Sequence, residues 1–352
     1  MAGMQSLKAL EELFLNDVTL GTKTFQSLAT LPNLKKLHLN DTTVQIDAST
    51  EVIRFEKLGS LSLNNTTSAN RFVGRIEAPQ LIQLSLVSCN MYDDDIAFIS
   101  RFSELRQLDL SENPIQGETL IELSALPIQT LMMQNTALTD RGLSGFSNWK
   151  GLFSLYLTAS PFDGSGFGEC PNLSIQNLNL GQINLSEEGV NALSKTHGTE
   201  WLILVGAGLP SGSIQRLVSH LPLKHLAIDG AHLTTEQLPT SVSSETLRGI
   251  SIHDAMPKQL QYVDRFESIE GVTLVECRLT TEAAKTLAQS SRLKRLAIRD
   301  CTLSNEALQI LTTSETLQNI SLQGRGIDQL DQEIVHEARP VLEIEFQGLG
   351  GL

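Results

Sequence analysis

Aromatic residues are scarce in this chain, with two Trp and three Tyr among 352 residues, so any exposed one stands out. Cysteine is scarcer than a disulfide framework needs, at four residues in all. Basic residues are in deficit. Lys and Arg total 26 against 40 Asp and Glu, a net charge of −14 that works against a phosphate-backbone partner, so no nucleic acid is expected. No apolar run approaches the roughly 20 residues needed to cross a bilayer, so no membrane is expected either. The opening segment, Met1 to Lys8, has neither a basic n-region nor an apolar h-region, which makes the cytoplasm the expected compartment. Motifs of catalysis are missing as well. There is no P-loop, no G-x-G-x-x-G between a strand and a helix, no H-E-x-x-H, no C-x-x-C and no G-x-S-x-G. The expectation is a non-enzyme with no cofactor and no metal.

What the chain has instead is a period. The stretch Leu105 to Ile115 reads L-x-x-L-x-L-x-x-N-x-I, and its first position recurs at Leu10, Leu34, Leu58, Leu81, Leu105, Ile128, Leu152, Ile175, Thr199, Leu223, Leu247, Ile269, Leu293, Leu317 and Val341. The spacing stays between 22 and 24 residues, and 44 of the 45 residues at the three core positions are apolar, Thr199 being the exception. This pattern resembles the leucine-rich repeat family over essentially the whole chain. The resemblance implies an α/β solenoid, a horseshoe with about 15 parallel strands on the concave face and short helices and loops on the convex face. It also implies a single domain spanning 1–352, because each repeat buries its apolar face only against its neighbours. Such a chain is expected to be a monomer, or to associate weakly end to end.

Within each copy the L-x-x-L-x-L core reads as a short strand, with leucines inward and the residues between them outward. The return segments that start at Leu138, Leu185, Leu279 and Leu303 carry Thr or Ser followed by an acidic residue, which predicts hydroxyl-capped helices there, one of them Asn305–Leu311. These returns are similar to the cysteine-containing and bacterial repeat classes. Three returns break the pattern: Thr67 to Gln80 with Arg71 and Arg75, the glycine-rich Pro161 to Pro171, and Met256 to Ser268. Cys89, Cys277 and Cys301 fall eight residues into their repeats, facing inward, and Cys170 reads as lying alone in a loop.

Outward-facing strand positions supply the candidate site. Met132, Tyr156 and Ile203 share one column, with Trp201 and Val205 on either side of Ile203; large side chains of this kind anchor protein interfaces. His225, Asp229, His253 and Asp254 stand beside them. Two histidines and several carboxylates, Glu276 being nearby as well, also fit a metal-dependent hydrolase, although no spacing enforces a closed ligand shell. A further row, Asn16, Asn40 and Asn64, reads as a solvated polar face. The expected function is non-catalytic binding of a protein partner on the concave face. The alternative is a recognition domain severed from a larger enzyme or receptor.

Overall fold

The structure, a computed structural model, describes residues 7–47, 51–238, 241–324 and 342–347. Residues 1–6, which belong to the opening segment, and Val341, the first position of the last copy, lie outside the described residues. The chain packs as two compact units, Met1–Asn179 and Leu180–Leu352.

The first unit contributes eight parallel strands, Glu12–Phe14, Lys36–His38, Ser60–Ser62, Gln83–Ser85, Gln107–Asp109, Thr130–Met132, Ser154–Tyr156 and Asn177–Asn179. Their register follows the period: Leu13 pairs with Leu37, Leu37 with Leu61, Leu61 with Leu84, and Leu131 with Leu155. The second unit contributes seven, Trp201–Ile203, His225–Asp229, Gly249–His253, Gly271–Val275, Arg295–Arg299, Asn319–Gln323 and Glu343–Gln347. Strand length changes from three residues to five at His225–Asp229. The reason is visible in the core positions. Before that point the inward strand residues are leucines and Met133; from it onward Ile228, Ile250, Ile252, Val272, Ile298 and Ile320 enter, and β-branched side chains favour extended backbone.

Nearly every described strand is followed by a left-handed residue seven places into its repeat; after His225–Asp229 the 3-10 turn Gly230–His232 stands there instead. Asp17, Asp41, Asn65, Ser88, Glu112, Asn135, Ala159, Gln182, Asp254, Glu276 and Asp300 all have φ between 48° and 59° there. The next residue turns inward and closes the stack. Thr42 Oγ1 donates to the Leu15 carbonyl (3.0 Å), Thr66 Oγ1 to Leu39 (2.6 Å), Cys89 Sγ to Leu63 (2.9 Å), Asn113 Nδ2 to Leu86 (2.8 Å) and Cys277 Sγ to Ile252 (3.5 Å). Each donor therefore satisfies a buried carbonyl of the preceding repeat, which would otherwise cost about 1–3 kcal/mol unpaired. The expected inward thiols sit in this ladder, which mixes Thr, Cys, Asn and Ser. Cys170, read as a loop residue, is also buried, and its Sγ donates to the Leu143 carbonyl at 3.2 Å. It occupies the seam between return segments, a place the strand period does not mark.

The four returns with predicted caps all carry them: Thr139, Ser186, Thr280 and Ser304 accept from the amides of Gly142, Gly189, Ala283 and Ala307. The last of these helices runs Asn305–Thr312, one residue beyond the expected end. The irregular returns are ordered rather than open. Thr67 to Gln80 forms the helix Ala69–Val73 without a side-chain cap, followed by the strand Ile76–Glu77. The glycine-rich segment forms a 3-10 turn, Ser165–Glu169, in which a β-carbon on Gly166 would meet the Asp140 carbonyl oxygen at 2.0 Å. Met256 to Ser268 carries the 3-10 segment Gln259–Arg265. Between strands and returns lie fully buried phenylalanines, Phe25, Phe72, Phe102, Phe146 and Phe167 in the first unit and Phe266 in the second.

Candidate functional site

The alternation of a strand turns every second side chain away from the leucine core, and these outward positions form the surface available for recognition. In the second unit Trp201 is, among the described residues, the large apolar strand side chain that is left exposed. It is 47% exposed and lies stacked on the ring of His225, with centroids 4.8 Å apart and planes 23° from parallel. His225 in turn sits 2.9 Å from the Ser251 hydroxyl through Nε2, and its burial holds the imidazole below the usual histidine range. Ile203 and Val205, expected as anchors beside Trp201, are half-buried.

Asp229 and His253 are neighbours on adjacent strands, as the period requires. Their chemistry is local. Asp229 accepts the Gly206 amide through Oδ2, and the same oxygen lies 3.9 Å from Nδ1 of His232, a residue sequence reasoning passed over. His232 Nε2 stands 2.9 Å from the Ala207 carbonyl. Burial pushes His232 down, while Asp229 and that carbonyl pull the other way; the net is below the usual value. Asp254 occupies a left-handed turn at φ 48°, at the exposed rim. Asp229 is spent on a turn amide and His225 on a hydroxyl. Among the described residues no group of three His, Cys, Asp or Glu is placed to hold a metal ion.

Met132 and Tyr156 belong to the first unit, where they pair in register on adjacent strands and are half-buried. The row of asparagines in the same unit is not a free polar face. Asn40 Oδ1 accepts the Asn64 amide (3.0 Å) and the Ser62 hydroxyl (2.7 Å), and Asn64 Oδ1 accepts the Val87 amide (3.1 Å) and the Ser85 hydroxyl (2.6 Å). These side chains tie one repeat to the next. An exposed pair that the sequence reading did not single out is Phe14, stacked on His38 at 4.3 Å and 6°. Its signal was present, an aromatic and a histidine at the same strand position of consecutive repeats. On the return side, Arg71 and Arg75 line a hollow of about 740 Å³ with Asp47, Asp95 and Phe98, so its charges balance.

The strand register, the left-handed turn in nearly every repeat and the donor ladder are the geometry of one known architecture, and comparison with solved structures gives the same answer. A TLR13–ssRNA13 complex aligns with a TM-score of 0.55 at 17% identity, covering 93% of this chain and 53% of that one. The chain has the leucine-rich repeat fold. An internalin from Listeria monocytogenes (16% identity, 98% and 84% coverage, TM-score 0.41) and a leucine-rich repeat protein of Leptospira interrogans (19% identity, 98% of both chains, TM-score 0.40) are also similar. This leucine-rich repeat chain spans about half the length of the TLR13 chain. No family model matches its sequence, and no curated protein matches it. Among its described residues no helix is long and apolar enough to cross a membrane.

Proposed function

We propose that this leucine-rich repeat chain is a non-catalytic recognition module that binds a protein partner, with Trp201 as the central anchor. The observation that carries the reading is that the exposed indole is held flat on His225 instead of being folded into the core. A large aromatic already fixed in one orientation loses little entropy on binding, and such residues dominate interface energetics. Ile203 and Val205 supply apolar area beside it, and His225, Asp229, His253 and Asp254 form the polar border. Met132 and Tyr156 offer a separate contact on the first unit. Non-catalytic binding is supported by the way Asp229, His225 and His232 are each spent on local bonds. The TLR13 chain was solved with single-stranded RNA; the net charge of −14 here works against a polyanion.

The test is capture from the native host with wild-type protein and Trp201→Ala. The variant is expected to lose the partner while its thermal transition stays within a few degrees, because the side chain faces away from the leucines. A partner retained in full by Trp201→Ala overturns the reading.

A further inference from the structure

The outward face of the second unit holds a second feature, and it lies at a fixed distance from Trp201. After the strand bearing His225, the same outward position is Gly249, then Gly271, then Arg295. The column beside it carries Ala227, Ser251, Thr273 and Ala297. The surface is therefore low between the Trp201–His225 stack at one end and Arg295 at the other. Arg295 is exposed, and among the described residues its guanidinium has no ion pair and no hydrogen bond. It leans toward the low floor, with Nε 3.8 Å from where a β-carbon on Gly271 would stand. In a chain with 14 more acidic than basic residues, a cation left without an acid partner on a recognition face is a selective feature.

We infer that this face takes an extended acidic peptide, with an apolar side chain on Trp201 and a carboxylate on Arg295. The inference rests on the recognition reading above and names the chemistry of the partner. Four strand steps separate the two anchors, about 19 Å at about 4.8 Å per step, and an extended peptide covers that in about six residues at about 3.3 Å each. Because the two side chains lean inward, the spacing falls at about four to six residues, an even number placing both side chains on the same side of the peptide. Gly249 and Gly271 bring no side chain of their own, so the His225 ring and the Arg295 stem are what lie over this part of the sheet. Arginine suits a carboxylate because its planar fork matches both oxygens. Arg299, four residues on, is the weaker choice. It stands beside Asp300 and one strand from Glu276, both exposed at the rim, and their charge offsets its own. The same rim acids, with Asp254, oppose a polyanion such as RNA while leaving room for a single carboxylate.

The chain contains its own reporter. Of the two tryptophans Trp149 is buried at 4% exposure, so ligand-dependent changes in fluorescence come from Trp201. The probe is a library of peptides of about eight residues with one Phe and one Glu fixed about four or six residues apart, and the matching library with Gln for Glu. The expected result is binding of the Glu library and about tenfold weaker binding of the Gln library. That difference vanishes in Arg295→Gln and persists in Arg299→Gln. Equal binding of both libraries, or an Arg295→Gln variant that still prefers Glu, overturns the acidic partner. If capture of a host protein still depends on Trp201 in that case, the recognition reading stands and only its chemistry falls. Tighter binding of a short poly(U) oligonucleotide than of any peptide overturns the inference in favour of RNA. No response from either library at millimolar concentration also overturns it.

Discussion

A β-carbon built on Gly249 would stand 2.7 Å from Nδ1 of His225, so the imidazole already occupies the space a side chain at that position would need. The glycine and the stack are one device. Gly249→Ala is expected to push the ring off its seat, break its contact with Ser251 and loosen the Trp201 stack. The readout is Trp201 emission, which should shift, while stability changes by no more than about 1 kcal/mol because the site is at the surface. An unaltered emission spectrum would show that the ring has room to spare.

Asn113 is the most heavily committed ladder residue. Its Nδ2 donates to the carbonyls of Leu86, Leu110 and Ser111, and its Oδ1 accepts the amides of Cys89 and Met91. Asn113→Ala removes this partner from the Leu86 and Leu110 carbonyls and the Cys89 and Met91 amides, while the Ser111 carbonyl keeps the Ser88 amide, and should cost about 3 kcal/mol in urea unfolding. Asn113→Thr, which keeps a donor as Thr66 does, should recover part of that. Equal loss in both variants would mean that volume, not hydrogen bonding, sets the cost.

Burial holds His225 and His232 below the ordinary imidazole value of about 6.5. The unfolded chain therefore takes up protons that the folded one refuses. The sign follows: their contribution is fully present above about pH 6.5 and is lost progressively as the pH falls below it. Urea midpoints should decline between about pH 7.5 and pH 5, and a variant with both His225→Gln and His232→Gln should decline less. A double variant with the wild-type slope assigns the pH dependence to other groups.

All four thiols are buried. Burial pushes Cys89 and Cys170 up to about 11. The Cys301 thiol beside it holds Cys277 down to about 7, and Cys301 itself is pushed up by that contact and by burial. A thiol reagent should label none of them rapidly in the native state and all four after denaturation, with Cys277 the first to react as the protein opens. Fast native labelling of Cys170 would place it back in a loop.

Strand positions were legible because a core leucine cannot move without breaking the period. The caps at Thr139, Ser186, Thr280 and Ser304 were legible because a hydroxyl before an acidic first turn has few other uses. The left-handed column was not read, since Asp, Asn, Ser, Glu, Ala, Gln and Gly all occupy it and only their alignment by repeat shows that one backbone conformation unites them. Trp201 was found by its outward position and its rarity. Arg295 was missed because it shares its strand position with residues as different as glycine and tryptophan, and only the lean of its side chain over Gly271 gives it a role. Tyr156 falls in the first packing unit and Trp201 in the second, a division that a constant period does not mark.

The ladder also has a direction. Its hydroxyl, thiol and amide donors at Thr42, Thr66, Cys89, Asn113 and Cys277 reach back 25 to 27 residues, to a carbonyl already made. On the ribosome each repeat is thus left with an open valence until its successor emerges, and the growing end is always the unfinished one. Assembly by these bonds proceeds like a zip fastener closed from the N-terminal side, one tooth behind synthesis.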